Sequence, residues 1–216
     1  MILQDYRTLV FDCDGVILDS NKVRAQAFYN AALPYGQQHA EALREYHILH
    51  GGVSRYVKFE VLLRDMVGLP VTEEAMQQLL HAFTTEATKG LLTCPIAPGL
   101  QALREATPHA RWLLVSGADE RELRAVFAQR GIAAWFDGGI FGSPSNKDDI
   151  LRREFAANNL HQPAVFFGDS RYDHQAATGA GLDFVFVSDW TDMAGWEAYC
   201  ASHGIPHIPT LGAPIR

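Results

Sequence analysis

The chain has 216 residues, a formal net charge of −7 at pH 7 and 48% hydrophobic residues. High apolar content with modest charge argues against disorder and suffices for one ample core, or a core plus a small inserted domain. No basic run points to nucleic acid, and no stretch is long and apolar enough to span a membrane.

In chain order, Leu9-Val10-Phe11 comes first. It is apolar throughout, as suits a strand buried on both faces of a parallel sheet. It runs into FDCDGVILDS at 11–20, which places Asp12 and Asp14 one residue apart. Residues 17 to about 92 show no strand pattern but several helical stripes. Val23, Ala27 and Ala31 form one. Val57, Val61 and either Leu62 or Asp65 form a second. Ala75, Leu79, Phe83 and Ala87 form a third, opened by Thr72-Glu73-Glu74. Such an interval is too long for a simple crossover. It reads as a helical domain inserted after the first strand, with the chain returning through the proline-rich stretch 94–99.

Beyond it, strands are expected at 112–115, 164–167 and 184–187, with a short run at Ile140-Phe141. A helix is expected over 119–130, with Asp119 and Glu122 as a capping box and Gly131 as its stop. Another is expected over 148–159, with Leu151 and Phe155 inward. This alternation predicts a doubly wound, Rossmann-like α/β sheet. The core is expected at 1–16 and 93–216, and the helical insertion at 17–92. Cys13, Cys94 and Cys200 lie far apart in odd number, which suggests a reducing compartment, and no N-terminal leader pattern precedes the first strand. A cytoplasmic protein is expected, as monomer or homodimer.

In open parallel sheets, ligands sit beyond the carboxyl ends of the strands. Here those ends read Asp12-Cys13-Asp14-Gly15, Ser116-Gly117 and, at 168–173, GDSRYD, with Lys147 after the short run. Clustered aspartates repel one another unless a cation neutralises them. Oxygen-only ligation by Asp12, Asp169 and Asp173 suits Mg²⁺. Ser116 and Lys147 can donate to phosphoryl oxygens. A carboxylate can attack phosphorus, and a second one, Asp14, can donate a proton to the leaving oxygen and later take one from water.

These motifs and their order resemble the haloacid dehalogenase superfamily of phosphohydrolases with a helical cap. The cap-loop string HGGVSRYVK at 50–58 is similar to that of the β-phosphoglucomutase-like and phosphoglycolate phosphatase-like branch. The resemblance implies Asp12 as nucleophile and Asp14 as acid and base. It implies Mg²⁺ on the Asp12 carboxylate, the Asp14 backbone carbonyl and Asp169, with Asp173 ligating or supporting. Ser116, Gly117 and Lys147 would hold the phosphoryl group. Gly52, Ser54, Arg55 and Lys58 would meet the leaving group of a small phosphorylated metabolite such as a sugar phosphate. A phosphomutase of the same branch is the alternative, and would need the cap to hold a bisphosphate away from water. A non-catalytic protein keeping the fold is the third reading, although no motif residue is missing.

Blander roles compete for several of these residues. Arg55 and Lys58 share a helix face that could be solvated. Asp173 could simply cap a helix over 173–181, and Asp19 and Ser20 the first helix of the insertion. Cys13 reads as packing below the site, and Trp190 and Trp196 as core residues of a C-terminal helix.

Overall fold

The computed structural model describes residues 3–213. Six strands form one sheet in the order β3-β2-β1-β4-β5-β6, with every neighbouring pair parallel. They are β1 (Thr8–Phe11), β2 (Arg111–Asp119), β3 (Gly139–Ser143), β4 (Ala164–Gly168), β5 (Asp183–Val187) and β6 (His207–Ile208). Central β1 pairs with β2 and β4, so that Leu9 faces Trp112 on one side and Val165 on the other. Alternate residues feed two hydrophobic clusters. Leu9, Phe11, Trp112, Leu114 and Phe167 enter one, and Val10, Leu113, Val115 and Phe166 the other. Both faces of the sheet are therefore buried, which is why these strands read as unbroken apolar runs.

The core helices are α5 (Leu100–Ala106), α6 (Glu120–Gln129), α7 (Lys147–Ala156), α8 (Arg171–Gly179) and α9 (Trp196–His203). Between β1 and α5 lie α1 (Asn21–Ala32), α2 (Gln37–Leu49), α3 (Arg55–Val61) and α4 (Glu73–Leu91). No strand occurs among these residues. They pack around Phe28, Phe59 and Phe83, whose ring centroids lie 4.4–5.9 Å apart. The outgoing and returning connections run side by side, because Leu18 bridges both Asp14 and Ile96. No helix among the described residues is long and apolar enough to cross a membrane.

Several sequence expectations need correction. The buried face of α3 is not Val57 and Val61 but Arg55, Lys58 and Phe59, continuing into Leu62 and Leu63, while Val57 is 46% exposed. The two cations find buried partners, so helical spacing of aliphatic residues alone chose the wrong face. The helix then loosens into a π-helical turn, Leu62–Val67. Strand β2 continues past Val115 through an irregularity and resumes pairing at Asp119, so Ser116-Gly117 lies within its distorted stretch, not after it. Asp119 caps α6 through its carboxylate, but Glu122 is drawn away to two arginines and no capping box forms.

Helix α8 starts at Arg171, with Ser170 as its cap and Asp173 as the third residue of a true capping box. Ser20 precedes α1, yet its hydroxyl donates to Asp14 and accepts from no helix amide. Trp190 lies in a turn outside α9, and β6 was not expected.

Candidate active site

Three segments at the carboxyl edge of the sheet deliver the acidic and basic groups. Asp12 follows β1, Lys147 opens α7, and Asp169 follows β4, one turn before Asp173. Asn146 caps α7 by accepting from the Asp149 amide at 2.8 Å, which fixes where Lys147 enters the helix. The lysine is fully buried, hydrogen-bonded to Asp173 Oδ1, and 2.8 Å from Asp12 Oδ1. Oδ2 of Asp173 accepts from the Ser170 amide at 3.1 Å and from its hydroxyl at 2.6 Å. This saturation makes Asp173 the anchor of Lys147 and of the α8 start. Close approach also demands glycine here. A Cβ on Gly15, whose φ is +80°, would sit 2.1 Å from Asp169 Oδ2.

Oxygens of Asp12, Asp169 and Asp173 all lie within 4.8 Å of one another, and the three residues are buried. Burial pushes Asp12 up to about 7; Lys147 opposes this, while Asp173 and Asp14 add to it. Burial first, then Asp173 and Asp12, raises Asp169 well above the usual carboxylate range. Burial opposes the Lys147 ammonium, but Asp12 and Asp173 outweigh it and raise its pKa. Three buried carboxylates thus face one ammonium. Asp12 Oδ1 faces Lys147 Nζ at 2.8 Å as an ion pair and, among the described residues, has no well-aligned donor. An all-oxygen set with an orphaned acceptor fits a hard divalent cation such as Mg²⁺.

The cluster forms the floor of a cavity of about 560 Å³ roofed by α1–α4. Asp12, Asp14, Ser116, Gly117 and Asp169 line it from the sheet edge, with Lys147 and Asp173 buried behind them. Gly52, Arg55 and Lys58 line it from above, whereas Ser54 does not. A Cβ on Gly117 would lie 2.0 Å from the Gly52 carbonyl oxygen, so the two loops touch backbone to backbone. One on Gly52 would lie 3.6 Å from Lys147 Nζ. Ser116 is buried, and its Oγ accepts from the Ala118 amide at 3.1 Å.

Asn21, Arg24 and His47, which the sequence did not single out, complete the site together with Glu122, which was expected only as half of a capping box. Asn21 donates to Asp169 Oδ2 at 3.0 Å and to the Trp190 carbonyl at 2.8 Å. Asp14 accepts from Arg24 Nε at 3.0 Å. Arg24 also pairs with Glu122 on α6, as does Arg55 at 2.6 and 3.0 Å. Burial raises the Glu122 pKa, but Arg24 and Arg55 overrule it and hold the carboxyl at about 2. Lys58 donates to His47 Nδ1 at 2.7 Å, with Nζ 5.3 Å from the centre of the Phe28 ring. Burial, reinforced by Arg24 and Lys147 against Asp14, lowers the Lys58 pKa to about 7. Pairings such as Arg24 with Glu122, 98 positions apart, leave no local motif.

The family description haloacid dehalogenase-like hydrolase matches residues 6–181, a span holding every group of the floor. The chain belongs to the haloacid dehalogenase-like hydrolase family. Three solved structures share its fold. A predicted phosphoglycolate phosphatase of Haemophilus somnus has TM-score 0.68 at 18% identity, covering 86% of this chain and 87% of that one. The β-phosphoglucomutase candidate of Bacteroides vulgatus has 0.69 at 18%, covering 94% and 82%. A predicted phosphatase of Clostridium acetobutylicum has 0.70 at 17%, covering 93% and 91%. No curated protein matches. As a haloacid dehalogenase-like hydrolase, the chain is an enzyme.

Proposed function

We propose that this hydrolase is a Mg²⁺-dependent phosphatase acting on a small phosphorylated metabolite, with α1–α4 and their connections, residues 17–92, as a cap over the core. The observation that supports it most is Asp12 at the cavity floor, flanked by Lys147 and Asp169. Asp12 attacks phosphorus, and the Asp12 oxygen–phosphorus bond forms as the ester bond to the leaving oxygen breaks. Asp14 gives its proton to that oxygen, then takes one from the water that splits the aspartyl-phosphate and frees Asp12. Ser20 and Arg24 orient Asp14 for both transfers. Ser116, the Gly117 amide and Lys147 hold the phosphoryl oxygens. Asp12, the Asp14 backbone carbonyl and Asp169, with Asp173 in support, would hold Mg²⁺, which would supply positive charge against the phosphoryl oxygens.

The resemblance to phosphoglycolate phosphatase-like enzymes and the phosphatase-named neighbour support the same reading. The roofed cavity suits small substrates better than proteins. The test is phosphate release from a panel of phosphorylated metabolites. Chelator should abolish release and Mg²⁺ restore it; full activity in chelator would overturn the reading.

A further inference from the structure

Asp169 is buried among the carboxylates of the floor, and what orients it comes from the roof. Asn21, the first residue of α1, donates from Nδ2 to Asp169 Oδ2 at 3.0 Å. The same nitrogen donates at 2.8 Å to the Trp190 carbonyl, in the loop after β5. Both amide hydrogens are thereby used, which fixes the way the amide faces. Among the described residues no other side chain donates to the Asp169 carboxylate, since Lys147 is taken by Asp12 and Asp173. The backbone of Asp169 is held separately, its carbonyl accepting from Thr191 Oγ1 at 2.6 Å. A Cβ on Gly15 would fall 2.7 Å from Asn21 Nδ2 and 2.1 Å from Asp169 Oδ2, so only glycine lets these three segments meet.

A neutral amide suits this place. It fixes the rotation of the carboxylate without cancelling its charge, which a lysine or arginine would do. Partners that orient a metal ligand typically carry about 10–100-fold in metal affinity. Here that partner sits on the first helix of the insertion and not on the sheet. On the reading of Asp169 as a Mg²⁺ ligand, on which this inference rests, we infer that Asn21 is a positioning residue that couples the cation to the roof. It aims Asp169 at the ion only while α1 is seated, so Mg²⁺ binding and the seating of α1 strengthen each other, as coupling between two events must be reciprocal. Ser20, the preceding residue, ties the same helix start to Asp14. Thr191 lies outside the insertion, so it steadies Asp169 without transmitting the position of the roof.

The test titrates the metal-free protein calorimetrically with MgCl₂ and follows hydrogen exchange of α1 without the ion and at saturating Mg²⁺. Asn21→Ala should weaken Mg²⁺ binding by about 10–100-fold. In phosphate-release assays its Mg²⁺ requirement should rise by the same factor, while kcat at saturating Mg²⁺ changes little. A merely structural role would instead lower kcat and the denaturant midpoint of the metal-free protein. Exchange in α1 should slow on Mg²⁺ in the wild type, and should not in Asn21→Ala even when Mg²⁺ saturates it. Thr191→Val removes the other support, so it should weaken Mg²⁺ yet keep the slowing. Asn21→Ser, a good helix starter whose short hydroxyl cannot span Asp169 and Trp190 together, should show the same losses and serves if the alanine variant does not fold. Equal Mg²⁺ affinity of wild type and Asn21 variants would overturn the inference, and so would equal slowing of α1 exchange in both. If the Asn21 variants behave as expected while the wild type releases no phosphate from any compound, the phosphatase reading fails and the role of Asn21 stands. A wild type that binds no Mg²⁺ overturns both.

Discussion

Asp12 and Asp14 differ in what surrounds them, and substitution should separate them. Asp12 lies buried at 2.8 Å from Lys147 and has an acceptor to spare. Asp14, its side chain 20% exposed, is held by Ser20 and Arg24. Asp12→Asn should leave almost no turnover. Asp14→Asn should lose roughly 10²–10⁴-fold, the usual worth of a proton-transfer group. With nitrophenyl phosphate, whose leaving group needs little acid, phosphoenzyme should accumulate in Asp14→Asn; acid-quench trapping checks this. Lys58 gives a second prediction at this scale. Its pKa falls from the usual 10.5 to about 7 because burial disfavours the ammonium. Between those values the unfolded chain binds the proton that the folded one lacks, so stability rises with pH over that window. Lys58→Met should remove this rise, and its advantage over wild type should be largest at pH 7 and below and shrink by pH 10. Denaturant midpoints of both proteins at pH 7 and pH 9.5 measure it; parallel pH dependences would refute it. Asp12, Lys147 and Asp169 were legible because each directly follows a strand or opens a helix. Arg24 and His47 were not, since partners distant in sequence give them meaning.

At the scale of elements, α3 shows where pattern reading fails. Its sequence, Arg55 to Val61, carries valines at the expected spacing, yet it buries Arg55 and Lys58 instead. Aliphatic spacing finds the buried face only when every buried polar residue is rare or unpaired. Here Glu122 on α6 accepts Arg55 and Arg24 together, and Phe83 lies 4.5 Å from the Arg55 guanidinium carbon. Tyr56 adds a 2.8 Å hydrogen bond to Asp119. The apolar runs of β1, β2, β4 and β5, by contrast, were legible, because burial on both faces leaves them continuous, whereas the distorted end of β2 and the two-residue β6 carry no such run. The pairing on Glu122 ties two helices of the insertion to one of the core. Removing one member of a buried pair costs about 3–5 kcal/mol, since the remaining charges stay desolvated. Glu122→Gln should therefore lower the denaturant midpoint strongly. A double-mutant cycle with Arg55→Met should recover part of the loss, because it removes one stranded cation. Strict additivity of the two changes would mean that the pair is not coupled.

For the whole molecule, the question is what keeps water and large substrates from the floor. The insertion leaves the core after β1 and returns at Ile96, with the two connections paired through Leu18. Opposite that base, the loop before α3 rests directly on the sheet edge. Gly117 and Gly52 meet there through their backbones, and Gly52 lies over Lys147. Neither contact is visible in the sequence, where Gly117 reads as a residue that holds the phosphoryl group and Gly52 as one that meets the leaving group, not as partners of each other. A methyl on Gly117 would fall 2.0 Å from the Gly52 carbonyl oxygen, too close for any real side chain, so Gly117→Ala must push the loop off the edge. The floor would keep its pairs, Lys147 with Asp12 and Asp173 and Asp169 with Asn21, none of them on that loop, and alanine keeps the backbone amide at position 117. Loosening the roof should then cost specificity more than chemistry. Gly117→Ala is expected to lower kcat/KM for the preferred metabolite by at least about tenfold, as a roof contact worth 1–2 kcal/mol would require. The loss on nitrophenyl phosphate should be smaller, because that compound gives the roof little to grip. Proteolysis within 50–54 should also become faster, as the displaced loop loses its support. If both substrates keep wild-type rates and the loop stays protected, the glycine contact is not what seats the roof.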